Sequence, residues 1–128
     1  MLDVEILGAP PGAPPEAEIE RLVGIALASA QVEDGHVAVA FVDAGTIATL
    51  NSEHRGKSGP TDVLSFPVDE AGPSAGPREL GDVVICPEHT EDLAEAVVHG
   101  VLHLVGMDHE TDDGEMLALQ AEIVGWLT

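Results

Sequence analysis

His99-Gly100-Val101-Leu102-His103-Leu104-Val105-Gly106-Met107-Asp108-His109 is the stretch on which the reading of the chain turns. His99 and His103 are one helical turn apart, so on a helix both imidazoles project from the same face. Gly106 can end that helix by adopting a left-handed backbone, which larger residues resist. The chain can then fold back and carry His109 towards the first two rings. Three neutral imidazoles converging from one side make an open site for one divalent ion. Zinc fits best, with the fourth position left to water. Nickel and copper accept the same donors.

The spacing of the three histidines and the glycine matches the zinc-protease pattern H-E-x-x-H-x-x-G-x-x-H. It departs at Gly100, which stands where such enzymes carry the glutamate that takes the proton from water. The ligand spacing is kept and the base is missing, which speaks against peptidase chemistry. His36, His54 and His89 are isolated in sequence and read as structural or surface residues.

A chain of 128 residues with 45% apolar composition can bury a core as a single domain spanning residues 1–128. Two Phe, one Trp and no Tyr leave Val, Leu, Ile and Ala to build that core. The one cysteine, Cys86, excludes an internal disulfide and suits a reducing compartment. It ends an apolar run and reads as a buried strand residue. No cationic leader precedes an apolar stretch, and no run of about 18 apolar residues exists to cross a membrane. The expected location is the cytoplasm. The formal net charge of −20 argues against non-specific grip on a polyanion. Arg55 and Lys57 nevertheless place half of the four cationic residues in one short segment.

Working outward, residues 4–7 read as a short strand and the proline-rich residues 9–15 as a loop. From Glu16, the positions Ile19, Leu22, Val23, Ala26, Leu27 and Ala30 follow helical spacing. Residues 36–42 are apolar on both faces, which predicts a central strand. Asp43 is placed to cap a short helix through Ile47 and Leu50. Residues 51–60 read as a polar loop, 61–66 as a strand ended by Pro67, and 69–77 as a flexible loop. A strand over 80–86 stops at Pro87, and a helix from about 90 to 105 carries His99 and His103. Asp112 and Glu115 have the offset of a capping box for a last helix with the stripe Met116, Leu119, Ile123 and Leu127. The expected fold is α+β: about four strands in a small mixed sheet packed with helices, the metal site on the penultimate helix and the turn after it.

A second cluster runs from Asn51 through Arg55-Gly56-Lys57 to Pro60-Thr61-Asp62-Val63-Leu64-Ser65-Phe66-Pro67. Arg55 offers a planar fork of donors suited to phosphate oxygens. With Leu80-Gly81-Asp82-Val83-Val84-Ile85-Cys86 and His99 to Glu110, these blocks resemble the YbeY family, bacterial endoribonucleases also called rRNA maturation factors. The likeness covers most of the chain from about residue 36. The stretch between Cys86 and His99 is shorter than is usual in that family.

The resemblance implies His99, His103 and His109 as metal ligands, one zinc ion per chain, and Arg55 as the catalytic arginine. It implies a single-strand-specific endoribonuclease acting on precursor ribosomal RNA, in ribosome maturation and quality control, with the ribosome or its associated proteins as partners. Asp82 and Asp108 are candidates for a base or for orienting an imidazole, with turn stabilisation the plainer role; Asp62 is expected to hold its loop. Two rivals stay open: a zinc metallopeptidase-like hydrolase, and a non-catalytic ribosome-biogenesis factor with a structural metal.

Overall fold

Val37, Val39 and Phe41 turn one way along β2 (Gly35–Phe41) and Ala38 and Ala40 the other. Val37, Ala38 and Val39 are all buried, so both faces of this strand are covered. That two-sided apolar character places β2 inside the sheet. The computed structural model describes residues 2–32, 35–67, 79–106 and 114–125. Among these, β2 lies between β1 (Leu2–Leu7) and β4 (Glu79–Ile85), parallel to both. β3 (Val63–Pro67) completes the order β1-β2-β4-β3 and runs antiparallel to β4. The sheet is therefore mixed, with β1 and β3 at its edges.

Parallel neighbours need a crossover, and α1 (Glu16–Ser29) supplies it between β1 and β2. Ile19, Leu22, Val23, Ala26 and Leu27 form its buried stripe; Ala30, expected in that stripe, is the exposed residue just past the helix. α3 (Leu93–Leu104) and α4 (Glu115–Gly125) pack with α1 over Val37, Val39, Phe41, Val83 and Ile85 in the main core. The other face carries a smaller cluster, in which Ile47 of α2 (Ala44–Arg55) meets Leu64, Val84 and Cys86. Alternation along β4 explains the division: Val83 and Ile85 face α3, and Val84 faces α2. Cys86 is buried one residue beyond the strand, as a free thiol.

Asp43 caps α2 as expected, accepting from the Thr46 N–H at 2.7 Å. The Thr46 hydroxyl and then its N–H hold this carboxyl below the usual aspartate range. The helix itself is longer than its sequence suggests. Residues 51–55, expected as loop, continue α2 to Arg55. Tertiary contacts hold this extra turn. Asn51 is buried one turn after Ile47, and its Nδ2 donates to the Gly59 carbonyl at 2.9 Å. The His54 ring meets Phe66 edge-on, with centroids 4.7 Å apart. The following loop is held by Asp62, whose carboxylate accepts from the Val63 N–H at 2.9 Å.

α3 starts three residues later than expected. Pro87–His89 form a single 3-10 turn, the Thr90 hydroxyl donates to the Cys86 carbonyl at 2.7 Å, and Asp92 caps the helix by accepting from the Glu95 N–H. His36 and His89 play no part in the core: His36 sits 3.2 Å from Glu5 on neighbouring β1, and His89 is exposed. The expected loop over 69–77, together with Asp112 and Leu127, lies outside the described residues.

Candidate active site

α3 is buried over most of its circumference: Ala96, Val97, Val98, Gly100, Val101, Leu102 and Leu104 are all shielded. His99 and His103 are half-buried breaks in that apolar surface. Their rings stand edge to face, centroids 4.7 Å apart and planes inclined at 73°. The two Nε2 atoms approach to 3.2 Å. Behind the pair, from α4, Gln120 Oε1 accepts from His99 Nδ1 at 2.7 Å. Gln120 is itself buried. Two imidazole nitrogens brought edge to edge on one side of a helix form a paired nitrogen donor set, the chemistry that divalent transition metals select.

Gly100 explains how α3 comes so close to the sheet. A Cβ built there would collide with Val83 Cγ1, lie 3.1 Å from Val63 Cγ2 and 3.4 Å from Ser65 Oγ. The Ser65 hydroxyl donates to the Gly100 carbonyl at 2.6 Å, tying β3 to the helix at the level of the histidines. The position occupied by glutamate in the zinc-protease pattern is thus pressed against valines, with no room for a carboxylate. Past Leu104 the helix closes as expected. Gly106 takes φ +98°, and its N–H donates to the His103 carbonyl at 3.0 Å. His109 and Asp108 lie outside the described residues.

Arg55 is the last residue of α2 and is exposed. It stands on the opposite face of the sheet from α3, and edge strand β3 lies between them. His54, next to Arg55, packs on Phe66, while Gly100 packs on Val63 and Ser65 of the same strand. The two sequence blocks therefore meet at one sheet edge from its two sides. Asp82 is set apart. It pairs with Ala38 and Phe66 in register, on the face turned away from α3, so it does not orient either imidazole. The group that does reach His99 is Gln120. A polar residue between Met116 and Ile123, in an otherwise apolar stripe, was the one hint of it in the sequence.

A family model described as endoribonuclease YbeY matches residues 14–127. The chain belongs to the YbeY endoribonuclease family. Among curated YbeY endoribonucleases, that of Clavibacter michiganensis subsp. michiganensis is 38% identical over 129 aligned positions, covering 85% of this chain and 84% of the relative. That of Persephonella marina is 39% identical over 107 positions, covering 72% and 70%. The solution structure of TM1509 from Thermotoga maritima shares the fold, with TM-score 0.55 and 29% identity over 94% of this chain and 86% of that one. Among the described residues of this YbeY-family chain, no helix is long and apolar enough to cross a membrane.

Proposed function

We propose that the chain is a zinc-dependent, single-strand-specific endoribonuclease that matures precursor ribosomal RNA and serves ribosome quality control in the cytoplasm, working on or beside the ribosome. Family membership supports the nuclease class. The observation that carries the metal reading is the 3.2 Å separation of the His99 and His103 Nε2 atoms. Zn–N bonds of about 2.0–2.1 Å at tetrahedral angles set neighbouring nitrogens about 3.3–3.4 Å apart. In this reading His109, three residues past the Gly106 turn, is the third ligand.

Zinc in an open three-histidine site supplies Lewis acidity and lowers the pKa of water to about 7. The chain's own residues do the rest. His99 and His103 present their nitrogens from a helix seated against the sheet by Gly100. Arg55 meets the scissile phosphate with paired N–H donors and stabilises the charge that grows on its non-bridging oxygens. With a net charge of −20, the contact with RNA falls to the Arg55 and Lys57 segment rather than to a broad basic surface. The Gly100 environment speaks against the peptidase rival, because the base such an enzyme needs has no space at that position.

The test pairs elemental analysis of purified protein with digestion of single-stranded and duplex RNA, with and without chelator, using Arg55→Ala as the control for contaminating nuclease. The reading expects one zinc per chain and cleavage of the single strand that chelation abolishes and the Arg55 substitution cuts by about 100–1,000-fold. Full cleavage by Arg55→Ala, or by the chelated protein, would refute it. Cobalt in place of zinc should give the visible spectrum of an open site. A closed four-ligand spectrum would favour the structural-metal rival.

A further inference from the structure

We infer that Gln120 is a positioning residue for His99, fixing which ring nitrogen faces the metal; the inference rests on the zinc reading above. Gln120 is 8% exposed as a residue and lies between Met116 and Ile123 on the buried face of α4. Its Oε1 is 2.7 Å from His99 Nδ1. An amide oxygen only accepts, so Nδ1 carries the proton. A neutral imidazole holds a single N–H, and Nε2 of the same ring therefore keeps its lone pair. That Nε2 is the atom 3.2 Å from His103 Nε2. One contact from a second helix thus sets both the tautomer and the rotation of the ring.

A space-filling role does not account for the residue. Leucine or methionine would fill the volume without the cost of burying an amide. The contact also spans 21 residues of sequence, joining α4 to the helix that bears the histidine pair. Partners of this kind, one bond beyond the metal ligand, are typically worth about 10–100-fold in metal affinity.

The experiment uses the full chain, metal-free and labelled with nitrogen-15, as wild type and as Gln120→Leu, Gln120→Met and Gln120→Glu. Ring-nitrogen shifts report the His99 tautomer, and competition for zinc against a chromophoric chelator reports affinity. Wild-type His99 is expected with its proton on Nδ1. The leucine and methionine variants should keep the cooperative melt, lose the fixed tautomer and bind zinc about 10–100-fold more weakly. Gln120→Glu, which still accepts from Nδ1, should bind within a few-fold of wild type. Wild-type His99 protonated on Nε2, or apolar variants that bind zinc as tightly as wild type, would overturn the inference while leaving the zinc reading in place. If the leucine variant does not fold, the methionine variant and the wild-type tautomer decide. Wild-type protein that takes up no zinc would overturn the function reading, and this inference with it.

Discussion

Replacing Gly100 by alanine adds one methyl group at the tightest point between α3 and the sheet. Two effects oppose each other. Removing glycine from a helix interior favours folding by about 0.8–1.0 kcal/mol. Against this, carbon atoms settle at about 3.5–4.0 Å from one another. The new Cβ would lie 3.1 Å from Val63 Cγ2 and well inside contact of Val83 Cγ1. Val83 is fully buried and branched at Cβ, and its strand is held between β2 and β3, so little can give. Overpacking of this kind costs about 1–3 kcal/mol, and the closeness of Val83 puts it at the upper end. The net expectation is a loss of about 1–2 kcal/mol. For a domain of this size that is a fall in Tm of roughly 3–8 °C. Calorimetric melting of wild type, Gly100→Ala, Val83→Ala and the double variant measures it. Removing Val83 Cγ1 should shrink the alanine penalty, giving a coupling of about 0.5–3 kcal/mol. The displaced helix should also weaken zinc binding. A Gly100→Ala protein as stable as wild type or more so would show that helix propensity wins and that the close approach is not needed.

Four other substitutions or conditions test separate parts of the reading. Arg55→Ala should keep zinc and the melting temperature while RNA cleavage falls about 100–1,000-fold, as expected for one lost donor to a charged transition state. Zinc at a hundred times its dissociation constant should stabilise the wild type by about 2.7 kcal/mol; His103→Ala should show almost none of this in a thermal-shift titration. Asn51→Ala breaks the bond to the Gly59 carbonyl and should cost about 0.5–1.5 kcal/mol in denaturant unfolding, with the loop after Arg55 exchanging its amide hydrogens faster. The native Asp43 pKa is depressed, so its capping contribution is complete above the ordinary value of about 3.9 and is lost as pH falls through the lower native one. Asp43→Asn should flatten the acid limb of the stability profile, and an unchanged limb would place the acid sensitivity elsewhere.

What could be read from the sequence was local and periodic. The stripe from Ile19 to Leu27, the two-sided apolar run of β2 and the Asp43 cap are properties of neighbouring residues, and each is found in place. The one-turn spacing of His99 and His103 likewise fixes their shared face before any tertiary contact is known. The misread parts depend on distant partners. Residues 51–55 look like a loop because the bond of Asn51 to Gly59 and the packing of His54 on Phe66 are invisible in a linear pattern. Gly100 showed which group was missing, but the reason is a valine on β4. Gln120 drew no reading from the sequence, because its meaning depends on a ring on another helix. Asp82 was a reasonable candidate by type, and strand alternation sends it to the wrong side.

The helix that bears the imidazole pair is held twice, by the sheet against Gly100 and by α4 through Gln120. On the zinc reading, a donor set held from both directions has little freedom to follow an incoming nucleotide. Accommodation then falls to the stretch across the end of α2 and the loop that follows it, whose side chains are exposed from Ser52 to Pro60. On the proposed function, the seat for the ion is set by the fold, and adjustment to each phosphate is left to the exposed Arg55 side chain.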